Sequence, residues 1–141
     1  MLVRKHLLFL TWIPLAASLA LAQNIYTPAA GSPERRGIMD AARIPIEAKL
    51  KKHVVFKVDR LKVENGWAFM IATPQTPDGR LAYGGTEYEQ GLKEGIVSGE
   101  VCVLLHWIRD RWRVVTYSIG PTDVVYENWD RKYGAPPAIF K

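Results

Sequence analysis

The chain has 141 residues, a formal charge of +5 at pH 7 and a single cysteine. One cysteine excludes an intramolecular disulfide, so the fold must be held by its core. The basic balance is mild and forms no dense arginine and lysine stripe, which argues against nucleic acid as a partner.

Residues 1–22 read as a cleavable signal peptide. Arg4 and Lys5 form a positive start, and Leu7 to Leu19 is an uncharged apolar stretch too short for an ordinary membrane span. Ala20-Leu21-Ala22 is an A-x-A cleavage site. The expectation is an exported protein, periplasmic or secreted, with no stable membrane insertion after cleavage. Residues 23–141 then form a single globular domain, and losing Arg4 and Lys5 takes the formal charge from +5 to +3.

Gln23 to Gly31 reads as a loose polar arm. Ser32-Pro33-Glu34 starts a helix: serine caps, proline suits the first turn, and glutamate faces the positive end of the dipole. Ile38, Ala42, Ile46 and Leu50 recur every four residues with charged residues between them, the pattern of an amphipathic helix. Pro45 predicts a kink or a break.

Val54, Phe56 and Val58 alternate as in a strand, and the shift to Leu61 and Val63 predicts a β-bulge near Asp59-Arg60. Glu64-Asn65-Gly66 turns the chain into Trp67, Phe69 and Ile71. A three-residue loop would put Leu61, Val63, Trp67 and Phe69 on one face, and that register is the expectation. Thr86 and Glu89 match a capping box ahead of a short helix over 87–94.

Val101 to Ile108 and Trp112 to Ile119 predict a second hairpin around Arg109-Asp110-Arg111, apolar on both faces. Such a sheet is covered on both sides. The first face belongs to the helix; the C-terminal segment, another subunit or a ligand covers the second. Thr122 or Asp123 could cap a last helix containing Val124, Val125 and Trp129, ending at Gly134. Cys102 lies in an apolar run and reads as a buried small hydrophobe rather than a nucleophile.

The expected fold is α+β: an N-terminal amphipathic helix packed on a curled antiparallel sheet of about four strands, with a short C-terminal helix. Cystatin-like and NTF2-like architectures look like this. The elements Ser32-Pro33-Glu34-Arg35 with Ile38, Gly66-Trp67-Ala68-Phe69, Trp112-Arg113-Val114-Val115, Gly120-Pro121-Thr122-Asp123 and Tyr133-Gly134-Ala135-Pro136 span nearly all of the mature region. On these it resembles a group of small exported bacterial proteins of unassigned activity. The resemblance implies an exported single domain and no catalytic residues.

His53 and His106 are far apart and in no metal-binding spacing, so no metal site or cofactor is expected. The best polar constellation is His106, Arg113, Tyr117 and Asp123, a candidate ligand site if the first three share a face of the second hairpin. These residues suggest three functions. The leading one is non-catalytic binding of a partner protein or a small ligand through the second sheet face, with a homodimer as one form of it. An NTF2-like enzyme using His106, Tyr117 and Asp123 for acid–base chemistry is an alternative. A module binding envelope polymers through Lys49, Lys51, Lys52, His53, Lys57, Arg60 and Lys62 is the third. Tyr83 and Tyr88 read either as ligand-stacking aromatics or as packing under a long loop.

Overall fold

The structure, a computed structural model, describes residues 24–141; residues 1–22, expected to be a signal peptide, lie outside them. Helix α1, Pro33–Leu50, leads into strands β1, Val55–Glu64, and β2, Trp67–Gln75. Helix α2, Tyr88–Lys93, precedes β3, Val101–Ile108, and β4, Arg111–Ile119. Helix α3, Trp129–Tyr133, and a 3₁₀ turn, Pro137–Phe140, follow. The strands form one open antiparallel meander in the order β1-β2-β3-β4, so the fold is α+β.

The start of α1 follows its residue chemistry. The Ser32 hydroxyl accepts the Arg35 N–H at 3.2 Å, and Pro33 opens the first turn. The apolar stripe Ile38, Ala42, Ile46 and Leu50 is buried. It shares a core with Ala68, Met70, Val103, Leu105 and Trp112 from the sheet. The helix runs unbroken through Pro45, so of the expected kink or break the break does not occur. Proline forfeits one backbone bond, but Ile46 and Leu50 beyond it are fully buried, each worth about 2 kcal/mol. At Gly37 the indole Cδ1 of Trp112 lies 3.3 Å from where a Cβ would stand, so glycine lets β4 close up to the helix.

The bulge in β1 falls between Val58 and Arg60, where the slipped alternation puts it. The turn after it differs from the expected one. Glu64 pairs with Trp67 and Val63 with Ala68 across a two-residue Asn65-Gly66 turn, both residues at positive φ. Val63 and Leu61 therefore face α1, whereas Trp67 and Phe69 face away from it. The three-residue reading fails because it assumes one buried face, and both faces are buried.

The second face is covered by the chain itself. Phe69, Cys102 and Leu104 pack with Trp129, Ala135 and Ile139, and with Tyr126 and Phe140 beside them. Arg60 Nη1 donates to the Phe140 carbonyl at 3.2 Å, and Lys62 Nζ to the Lys141 carbonyl at 2.6 Å. Of the three candidate covers, the C-terminal segment takes this place. The final helix is shorter than expected: it begins at Trp129, and Val124 and Val125 are exposed. The arm is not loose, because Tyr26 bridges Val63 through two backbone hydrogen bonds of 3.0 and 2.8 Å. Before α2, Glu89 Oε2 accepts from Gly85 N at 2.9 Å while the Thr86 hydroxyl accepts from Tyr88 N at 3.2 Å.

Candidate binding groove

His106 and Arg113 are cross-strand partners. His106 also stands opposite Trp67, and Trp67 opposite Glu64. An acid, an indole, an imidazole and a guanidinium thus form one row across the second face. The Trp67 and His106 rings stack at 3.9 Å. Glu64 is 4% exposed, and its Oε2 has no hydrogen-bond partner among the described residues; the same holds for Arg113 Nε. Two strand spacings of about 4.8 Å, with Trp67 between, keep Glu64 and His106 from sharing a proton directly.

Tyr117 and Asp123 do not join this row. A register shift between Leu104 and Leu105 puts an extra residue into β4, so that Tyr117 pairs with Val103 and packs toward α1. The shared face expected for His106, Arg113 and Tyr117 is therefore corrected to His106 and Arg113 alone. Asp123 lies exposed in the loop after Gly120, and the cap position of α3 is Asn128. His106, Tyr117 and Asp123 do not converge on one acid–base site.

The basic cluster is also divided. Arg60 and Lys62 bind tail carbonyls, Lys52 donates to the Gly84 carbonyl, and His53 Nδ1 lies 2.8 Å from Glu47. Tyr83 is 1% exposed and donates to the Glu100 carbonyl at 3.1 Å, with Tyr88 tilted against it, so both fill space under the loop. Burial pushes the Cys102 thiol up to about 11, with a smaller contribution from Glu100, which keeps it a neutral hydrophobe.

The open concavity lies on the other side of the sheet, between α1 and β4. At the hairpin end a cavity of about 800 Å³ is walled by Tyr26, Ala41, Ile44, Trp107 and Trp112. A second, of about 550 Å³, shares Ala41, Ile44, Arg111 and Trp112 with it and runs beside Arg111 to Tyr117. A third, of about 700 Å³, shares Pro45 and Tyr117 with the second and ends among Lys49, Lys51 and Lys52. The three line up as one groove along α1 and β4 from Arg111 to Tyr117.

Two features mark this groove. Ile44 is 73% exposed and Trp107 47%, and together with Tyr26 they gather at its hairpin end. Its charges are also sorted: Glu34, Asp40 and Asp110 stand at that end and the three lysines at the other. Desolvation, with Glu34 beside it, pushes the Tyr26 phenol up to about 12, and its hydroxyl donates to Glu34 Oε1 at 2.7 Å. The groove leaves no trace in the pattern of buried stripes. The available signal is Ile44, an isoleucine on the polar side of an amphipathic helix.

The fold and the groove define an α+β domain whose helix flanks an open sheet edge. No family model, curated protein or solved structure matches the chain. Among the described residues, no helix is long and apolar enough to cross a membrane, and no group of three or more His, Cys, Asp or Glu could hold a metal ion.

Proposed function

We propose that this chain is an exported, non-catalytic binding domain of the cell envelope, and that its site is the groove between α1 and β4. One observation carries the reading: Ile44, Trp107 and Tyr26, large side chains left exposed, converge on a single apolar cavity of about 800 Å³. Exposed apolar groups gathered in a concavity mark a place where something docks, and the volume falls within the usual range of ligand sites. The second face, the first place expected for binding, holds the chain's own tail. Kinship with the small exported bacterial proteins it resembles, and a cystatin-like or NTF2-like ancestry, belong to the same reading.

Native mass spectrometry of the protein from its own envelope fraction tests this. The wild type is expected to carry a bound component that Ile44→Lys and Trp107→Ala both lose. A bare chain in all three preparations overturns the reading.

A further inference from the structure

Resting on the groove as the binding site, we propose that its occupant is an extended polypeptide segment that adds a fifth strand to β4. β4 pairs with β3 on one side and has no neighbour on the other among the described residues. The Trp107 N–H donates to the Gly66 carbonyl at 2.8 Å, away from β4. Trp107 and Trp112 are therefore a non-hydrogen-bonded pair, and Trp112 turns its own N–H and C=O to the open side. Two residues on and before the register shift, Val114 does the same. An unpaired row of donors and acceptors is a template for another strand.

The groove supplies what a bare edge lacks. It follows β4 from Arg111 to Tyr117, with Ala41, Ile44 and Pro45 of α1 as its far wall. A strand laid along β4 would cover Ile44 and set every second side chain against α1. Main-chain bonds then give affinity and the cavities give selectivity, the physics of peptide capture at a sheet edge beside a helix. The stretch of β4 from Arg111 to Tyr117 is about 23 Å long and accepts a segment of similar length.

The sorted charges specify the segment. Glu34 and Asp110 stand at the hairpin end with Arg111 and with Asp40, which pairs with Arg43 at 2.6 Å, and Lys49, Lys51 and Lys52 stand at the other with Glu87. The complementary strand carries a basic residue at one end, apolar residues between, and an acidic residue at the other.

Random twelve-residue peptides displayed on phage are selected on the full protein, and a recovered peptide is titrated by calorimetry. The expected peptides have opposite charges at their two ends. Their affinity falls at least tenfold in Ile44→Lys and in Val114→Pro, which removes an outward N–H and no bond to β3. Peptides N-methylated on alternate residues lose as much against the wild type, a result independent of how Val114→Pro folds. Hydrogen exchange at the Trp112 and Val114 amides slows on binding. Peptides sensitive to Ile44→Lys but indifferent to N-methylation and to Val114→Pro overturn strand addition and leave the groove reading standing. Failure to recover any peptide overturns strand addition as well, and native mass spectrometry then decides the groove reading separately.

Discussion

The Trp67 indole and the His106 imidazole lie face to face across the β2–β3 register, with centroids 3.9 Å apart and planes 9° from parallel. Aromatic pairs contribute about 1 kcal/mol beyond the area they bury. A double-mutant cycle of Trp67→Leu and His106→Leu in urea should give a coupling of about 1 kcal/mol. Additivity within about 0.3 kcal/mol would mean that the two rings are neighbours without energetic consequence.

The Asn65-Gly66 turn makes a second expectation. A Cβ at Gly66 would meet Trp107 Cβ at an ordinary 3.8 Å, so the strain of Gly66→Ala is in the backbone, at φ +77°. The substitution should cost about 1–2 kcal/mol in chemical denaturation. A neutral result would show that the hairpin can adopt the longer loop.

The tail cover is tested at Ile139, which is fully buried against the second face. Ile139→Ala should cost about 3 kcal/mol, as for other buried isoleucines, and should raise binding of a hydrophobic dye. Loss of less than about 1 kcal/mol would mean that the tail lies on the sheet without holding it.

Alkaline pH should destabilise the fold. Burial raises Cys102 from 9.0 to about 11 and also raises Tyr83, so the unfolded chain releases these protons first. Above about pH 9 the unfolded state binds fewer protons than the folded one, and stability falls as pH rises. The Cys102 share is on the order of 2 kcal/mol between pH 9 and pH 11. Thermal midpoints of Cys102→Ala should decline less steeply over that window than those of the wild type. Parallel slopes would show that the thiol titrates as freely folded as unfolded.

Local chemistry was legible in the residues. Ser32 and Pro33 mark the start of α1, the fourfold spacing of Ile38, Ala42, Ile46 and Leu50 marks its buried side, and the slip after Val58 marks the bulge in β1. What depends on a distant partner was not legible. The side on which Trp67 and Phe69 fall depends on a tail some seventy residues later. The extra residue in β4 has no glycine to announce it and lies within the apolar pair Val114-Val115, and it carries Tyr117 away from His106. The groove was hidden for the same reason: Trp107 and Trp112 read as core, and only the meeting of α1 with an edge strand makes them its wall.

The bonds from Arg60 and Lys62 to the Phe140 and Lys141 carbonyls span 80 and 79 positions. They set an order of events during synthesis. Helix α1 and the first hairpin can form from neighbouring sequence, but the tail contacts of Arg60 and Lys62 wait for residues that emerge much later. Until then Phe69, Cys102 and Leu104 stay open to water or to a chaperone. Closure of the second face is thus a late, long-range step, of the kind that slows folding. The nascent chain stays unfinished, and susceptible to capture, almost until its last described turn is made.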